Sequence, residues 1–448
     1  MTQPLRPNVL IVLTDQWRAQ ALGRAGDVNA RTPNLDAFAG QATVFETAVA
    51  NCPVCTPARA SLLTGQHAHT HGLFMNDLCL GNQAETLAQV FGRAGYDTGY
   101  IGKWHLDGHG RSSPIPPERR QGFQFWKATE CNHNYNAGFY HDDNGAKIPW
   151  EGYEPESQTR EAQRYLAERD RASPFFFVLS WGPPHTPYQT APERFREMFD
   201  PSRLALRPNV PAGAADDTRP KLAGYYAHCA ALDACFGGLM STIKDLRLWD
   251  NTIILFTSDH GDMVGSWGQF NKQRPYDESI LVPFMMRLPP RLGIAPTRVQ
   301  APLGMVDIMP TLLGLCGLAI PPTVQGVDFT PVLRGQAPAP AAALIACYMP
   351  FGQWSRAQGG REYRGVRTAR HTYVRDLNGP WLLFDNLLDP YQTRNLAGNP
   401  AHAHTERHLD DVLRRTLHEI GDTLEPGQEM VKRWGYALDK DGKIGYTE

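Results

Sequence analysis

The sequence predicts an α/β protein: a large unit of buried strands alternating with helices, followed by a smaller unit built on antiparallel strands. Three observations predict it. Short continuous apolar runs of parallel-strand type recur through most of the chain, and each ends in a cluster of reactive side chains. A long amphipathic pattern at spacings of three and four lies among them. A Pro/Ala-rich connector beginning at Gly335 then shifts the composition, and short strand-like segments follow it. The 448 residues suit one large domain with an appendage, or two to three domains.

In chain order, the first run is Asn8 to Thr14, ending at Asp15 and Gln16. The second, Tyr96 to Ile101, ends at Gly102, Lys103, Trp104 and His105. Phe175 to Trp181 leads into Pro184, His185 and Tyr188, and Thr252 to Thr257 leads into Asp259, His260 and Asp262. Ligands of open α/β sheets bind beyond the carboxyl ends of the strands, so these four endings are expected to converge on one site. Between them, Leu222, Tyr225, Cys229, Leu232, Phe236, Leu239 and Ile243 mark a helix facing the sheet; they read as core, as does Cys235. The expected boundary puts the main domain at residues 1–335 and the smaller one at 336–448. In the latter, Arg364 to Thr368, His371 to Arg375 and Trp381 to Asp385 read as short strands, and His408 to Leu424 as an amphipathic helix.

Composition narrows the function. Apolar residues at 42% and charged residues at 20% exclude disordered and collagen-like chains. Lys+Arg 44 against Asp+Glu 46, with no basic run, gives no footprint for nucleic acid. Any anion must therefore be met locally. The eight cysteines show neither zinc spacing nor a disulfide framework. Cys52 and Cys55 form one Cys-x-x-Cys, a spacing that a redox pair would also give. The first strand begins by Asn8, which leaves no room for a signal peptide, and no apolar run is long enough for a membrane span. The expected location is the cytoplasm, with no membrane partner, and a homo-oligomer is compatible with this reading.

Asp15 with Gln16, and Asp259 with His260, each stand at a strand end. Taken singly, such a pair also reads as a helix cap. Taken together, two carboxylates, an amide oxygen and an imidazole suit one divalent cation, with the imidazole widening the choice toward Mn²⁺. Arg59, Lys103, His105, His185 and Lys272 add cationic and proton-bearing groups. One metal, two lysines and two histidines fit a tetrahedral oxyanion monoester, whose transferring group needs charge neutralised and whose leaving oxygen needs a proton.

The segment Cys55-x-Pro57-x-Arg59, continuing through Leu63, Thr64 and Gly65, resembles the sulfatase signature in which cysteine becomes formylglycine. Gly102 to Leu106, Pro184 to Tyr188, Thr257 to Asp262, Asp277 to Pro283, Asp307 to Thr311 and Phe384 to Leu396 also resemble sulfatase landmarks in order, so the likeness runs from about residue 8 to residue 398. The resemblance implies an alkaline-phosphatase-like mixed sheet flanked by helices, with a C-terminal domain on a four-stranded antiparallel sheet. It implies Asp15, Gln16, Asp259 and His260 as metal ligands, with Ca²⁺ first and Mn²⁺ or Mg²⁺ as alternatives. Cys55, as formylglycine, would be the nucleophile, made by a separate formylglycine-generating maturation enzyme, with Arg59 orienting it. Lys103 and Lys272 would grip sulfate oxygens, His105 would hydrogen-bond the hydrate, and His185 would protonate the leaving oxygen. Cys52 lies outside the pattern and reads as structural.

Two departures stand out. Gln16 occupies a position where many sulfatases carry a second carboxylate, which resembles the choline-sulfatase and phosphonate monoester hydrolase branch. Trp267 stands where many relatives have histidine, and packing is its favoured role. The expected substrate is a small organic sulfate ester, aryl or sugar, with phosphonate or phosphate monoesters as the alternative. The aromatic and amide-rich segment Glu130 to Tyr140 reads as a structured loop or a pocket wall.

Overall fold

The computed structural model describes residues 6–440 and 442–445; residues 1–5, on which the absence of a leader was argued, lie outside them. Eight strands form one central sheet: β1 (Asn8–Asp15), β2 (Thr43–Phe45), β3 (Asp97–Lys103), β4 (Phe125–Thr129), β5 (Phe175–Pro184), β6 (Thr252–Ser258), β7 (Phe284–Arg287) and β8 (Arg298–Val299). Their spatial order is β8-β2-β7-β6-β1-β5-β3-β4. The five strands from β6 to β4 are parallel, while β7 runs antiparallel to β6 and β2, so the sheet is mixed.

The apolar runs become central strands because both faces of the sheet are covered. In β1, Val9, Ile11 and Leu13 pack into one core layer, and Leu10 and Val12 into the other, as the two-residue period requires. Helices on both sides supply the cover, among them α1 (Cys55–Thr64) on the first face, and α2 (Glu154–Glu168) and the long α3 (Ala215–Asp245) on the second. The expected heptad-like set from Leu222 to Ile243 lies buried on α3, Cys229 included. Each central strand runs further than its apolar run, to Asp15, Lys103, Pro184 and Ser258. Backbone pairing does not depend on the side chain being apolar, so the ladder carries the reactive residues to the sheet edge. Asp15 pairs with Pro184, Thr14 with Ser258 and Gly102 with Ser180, which brings the four endings side by side.

The second sheet has four antiparallel strands in sequential order: β9 (Ala342–Cys347), β10 (Tyr363–Thr368), β11 (His371–Asp376) and β12 (Gly379–Asp385). Strand β9 begins inside the Ala-rich stretch that reads as connector. Helix α4 (Ala403–Ile420) lays Leu409, Leu413 and Leu417 against Leu344, Val366, Tyr373 and Leu383 of this sheet. It starts at Ala403 rather than His408, and it stops at Ile420 because Gly421 turns left-handed at φ 75°. No helix among the described residues is long and apolar enough to cross a membrane.

A buried ion pair fastens the far end of this sheet. Arg364 Nε donates to Asp422 Oδ2 at 2.6 Å, with both side chains at or below 1% exposure, and its guanidinium lies 3.8 Å from the centre of the Tyr348 ring. Removing one partner of such a pair strands the other charge without solvent. Asp422→Asn is therefore expected to lower unfolding stability by about 3–5 kcal/mol, read from the denaturant midpoint; a change below about 1 kcal/mol would show that the pair behaves as a surface one.

Candidate active site

Residue 55 sits where a helix begins and four strands end. Cys55 is the first residue of α1, after the extended Val54, and all ten residues of that helix are buried. Its amide end carries the helix's partial positive charge toward residue 55. One turn on, on the same side, Arg59 donates from Nε to Asp259 Oδ2 at 2.9 Å, and from Nη1 to the Lys103 carbonyl at 2.8 Å and Ser180 Oγ at 2.9 Å. The helix start is thus tied to β3, β5 and the end of β6. Thr56 Oγ1 also donates to the His105 carbonyl at 2.8 Å.

Ligand atoms of Asp15, Cys55, Asp259 and His260 all lie within 4.8 Å of one another, and all four are buried. The donor set fits a divalent cation on several counts. His260 Nδ1 donates to the Gly261 carbonyl at 2.9 Å, which turns Nε2 into the set, 3.3 Å from Cys55 Sγ and 3.4 Å from Asp15 Oδ1, where a bound cation would take its lone pair. The Gln16 amide nitrogen donates to Asp262 Oδ2 at 2.6 Å, so its oxygen faces the site. Burial and the neighbouring Asp15 raise Asp259, the mark of two carboxylates forced together. Against burial, Lys103 first, with Lys272 and Arg59, holds Asp15 well below the usual carboxylate range.

Above this set stand the predicted cations. Lys103 Nζ donates to Asp15 Oδ2 and lies 3.9 Å from Cys55 Sγ. Lys272 Nζ reaches Cys55 Sγ at 3.0 Å, Gln16 Oε1 at 3.2 Å and His185 Nε2 at 2.9 Å. Burial and Asp15 push the Cys55 thiol up, yet Lys103, Lys272 and His260 hold it well below its ordinary value, so an anion is stabilised at this position. His185 Nδ1 faces the Thr186 carbonyl at 2.8 Å, and burial together with Lys272 keeps its imidazole neutral. His105 is fixed by Asp77 Oδ1 at 3.0 Å from its Nε2, while its buried Nδ1 has no hydrogen-bond partner among the described residues. All ten predicted site residues are brought together.

Sequence reasoning did not single out the residues that hold these in place. Asp262, quoted only within a motif, accepts from Gln16 Nε2, from the Tyr188 hydroxyl at 2.5 Å, and from the amides of Val264 and Asn271. Tyr225, read as core, also donates its hydroxyl to the Gln16 carbonyl at 3.1 Å. Asp77 and Ser180 lie in no recognisable motif. Gln16 and His105 both adopt left-handed φ, 72° and 60°, which turns each side chain out of its strand line. Gly102, just before Lys103, has φ 105°, and a Cβ there would meet the Ser180 carbonyl oxygen at 1.9 Å. Trp267 stacks on Tyr276 with ring centres 5.4 Å apart, outside the cavity wall, in keeping with packing. Cys52 is a buried free thiol that burial pushes up to about 12.

A site of this kind takes hold of a tetrahedral oxyanion and separates it from an ester oxygen, which is the work of a hydrolase of oxyanion esters. Comparison settles the family within that class. The family model described as Sulfatase matches residues 7–318, and one described as N-sulphoglucosamine sulphohydrolase, C-terminal, matches residues 265–419. The chain belongs to the sulfatase family, within the alkaline phosphatase superfamily, and is a sulfuric ester hydrolase. It is 41% identical to an ulvan-active sulfatase of Formosa agariphila over 98% of this chain and 86% of the relative. A Bacteroides thetaiotaomicron structure, titled for the metabolism of multiple glycosaminoglycans, superposes at TM-score 0.85 with 30% identity, covering 96% of this chain and 99% of that one. A phosphonate monoester hydrolase of Agrobacterium radiobacter shares the fold at TM-score 0.75 and 24% identity, over 99% and 100% of the two chains.

The segment from Glu130 to Tyr140 brings His133 to the cavity. Asn132 Nδ2 donates to Glu154 Oε2 at 3.2 Å, and Gln158 Nε2 to Glu154 Oε1 at 2.6 Å. Among the described residues no cation pairs with Glu154, and burial raises it to about 8. The folded state therefore binds this proton more tightly than the unfolded state, whose carboxyl stays near 4.5. Stability should fall as pH rises between about 4.5 and about 8, at up to about 1.4 kcal/mol per unit. Glu154→Gln should flatten that stretch of the curve relative to the wild type, measured by denaturant unfolding across the window; parallel curves would show that Glu154 is ionised in the fold.

Proposed function

We propose that this protein hydrolyses sulfate monoesters on anionic saccharides, with residue 55 acting after its cysteine has become formylglycine. The observation that carries this reading is the convergence of Lys272 Nζ, His260 Nε2 and Lys103 Nζ on Cys55 Sγ, at 3.0, 3.3 and 3.9 Å, at the base of a cavity of about 890 Å³. A sulfate seated there would meet two lysines on its oxygens, which neutralises charge as the sulfur is attacked. A thiolate attacking sulfur would leave a stable adduct. A hydrated aldehyde carries two hydroxyls: one oxygen attacks sulfur and releases the alcohol, and the other re-forms the carbonyl and expels sulfate.

The remaining residues divide this work. Arg59 orients residue 55, and His105, held by Asp77, offers its unpartnered Nδ1 to the hydrate. Asp15, Gln16, Asp259 and His260 would hold one divalent cation, Ca²⁺ first and Mn²⁺ or Mg²⁺ as alternatives; when bound, it lowers the pKa of the attacking hydroxyl and neutralises sulfate charge. Gln16 gives the set one carboxylate fewer than many relatives, which lessens the preference for Ca²⁺ over Mn²⁺. The leaving oxygen takes its proton through His185, whose Nε2 lies 2.9 Å from Lys272 Nζ.

An anionic saccharide is favoured over a small aryl ester by the cavity rim. Arg111, Arg356, Lys440 and Lys443 line it alongside Phe351. Arg111 is paired with Asp77 and Arg356 with Glu362, so the lysines carry much of the attraction for a further anionic group. One relative is ulvan-active, and another is titled for glycosaminoglycan metabolism, which agrees with a saccharide. Raising ionic strength from about 10 mM to about 150 mM shortens the screening length roughly fourfold. KM for a saccharide bearing a second anionic group should then rise several-fold, and KM for a simple aryl sulfate much less; equal shifts would remove the rim from substrate recognition.

Phosphate or phosphonate monoester hydrolysis is the second reading, motivated by Gln16 and by the shared fold. Matched aryl sulfate, phosphate and phosphonate esters separate the two, with the highest kcat/KM expected on the sulfate; sulfate in last place would reverse the assignment. The enzyme should be co-expressed with a formylglycine-generating enzyme, and intact mass should then show the thiol-to-aldehyde loss in wild type and none in Cys55→Ala. No mass loss together with no turnover would favour a binding protein on this scaffold.

A further inference from the structure

One imidazole on the cavity wall has no part in the chemistry above. His133 lies with its ring nearly parallel to that of His185, the ring centres 4.6 Å apart and the planes 8° apart, and both rings line the cavity with Cys55. The segment that carries His133 is anchored on both sides. Asn132 bonds to Glu154 before it, and after it the Tyr135 hydroxyl lies 3.3 Å from the carbonyls of both Gly182 and Thr186, which flank His185. His133 Nε2 is itself 3.5 Å from Cys131 Sγ, a buried side chain, which adds an anchor at the ring edge.

His185 needs such support. Its Nδ1 bond is to Thr186, the next residue in its own loop, through the carbonyl at 2.8 Å and the hydroxyl at 3.3 Å, and its Nε2 bond is to Lys272. Neither bond opposes a tilt of the ring about the line joining the two nitrogens. A flat ring lying against one face does oppose it, and the aromatic stack contributes about 0.5–1.5 kcal/mol beyond its buried area.

We propose that His133 is a positioning residue for His185, its stacked ring holding the imidazole plane so that Nε2 stays directed at the leaving oxygen. The inference rests on the reading of His185 as the route of the leaving-group proton. Nothing in it requires His133 to touch the substrate or change charge. A stacking phenyl ring should therefore replace it in part, and a methyl group should not.

The test compares His133→Ala, His133→Phe and His185→Ala in matured, metal-loaded enzyme on two sulfate esters: 4-nitrophenyl sulfate, whose leaving group departs without a proton, and a saccharide or alkyl sulfate, whose leaving group needs one. His185→Ala should lose about 10²-fold or more in kcat on the alkyl ester and far less on the aryl ester. His133→Ala should lose about tenfold in kcat on the alkyl ester, with KM little changed and the aryl ester nearly unaffected, because a misaligned donor slows only the step that uses it. His133→Phe should recover most of that loss. Equal losses on the two esters for His133→Ala, or a phenyl variant no better than alanine, would overturn the inference while leaving His185 as the proton route if its own variant discriminates. A His185→Ala enzyme that treats both esters alike would overturn the proton route and the positioning role together. His133→Phe keeps the wall filled, so the comparison survives if the alanine variant folds poorly.

Discussion

The guanidinium of Arg59 joins one helix to three strand ends, and the geometry around residue 55 depends on that junction. Its Nε bonds the Asp259 carboxylate, and its Nη1 bonds the Lys103 carbonyl and Ser180 Oγ. A planar fork of donors suits this task because each direction is fixed relative to the others. A lysine could supply the charge but could not hold three acceptors at set angles. With Arg59 one turn behind Cys55, the register of α1 against the sheet and the position of the nucleophile become one constraint. Buried and paired in this way, Arg59 also offsets part of the charge on the two converging carboxylates.

Around this junction the site balances charge over short distances. Asp15 and Asp259 face Arg59, Lys103, Lys272 and His260 in a region almost without solvent, where unpaired charges are costly. Lys103 and Lys272 do two jobs: each has an intramolecular partner, Asp15 for one and Gln16 with His185 for the other, and each also points at residue 55. An incoming oxyanion therefore exchanges partners with side chains that are already held, which limits the ordering cost on binding. Gln16 keeps its oxygen toward the site because Asp262 takes its nitrogen and Lys272 bonds its oxygen.

Much of this could be read from the chain, for physical reasons. Parallel strands buried on both faces are written as apolar runs, so β1, β3, β5 and β6 and the reactive residues at their ends were visible. The short strands β2, β7 and β8 were not, because two to four residues hold too few side chains to show a period. Strand β9 was hidden in alanines that also read as a connector. The chemistry-bearing residues at the site carry a pattern of type and order, whereas Asp77, Ser180 and Glu154 act from places fixed by tertiary packing alone. His133 stood in a segment read as a loop or pocket wall. Only the folded chain lays its ring on His185, since the intervening 51 residues must first pass through β5.

The burial of α1 has a bearing on how the protein is made. Every residue from Cys55 to Thr64 is enclosed, and Cys55 itself is 1% exposed at the foot of its cavity. A small ester can descend to it, but the active site of another protein cannot, because the helix would have to leave the core and Arg59 its three partners. If residue 55 is remodelled by a maturation enzyme, that enzyme must work on the chain while this segment is still extended. Synthesis, modification and folding would then be ordered in time, and a molecule that folded first would be complete in shape and closed to correction.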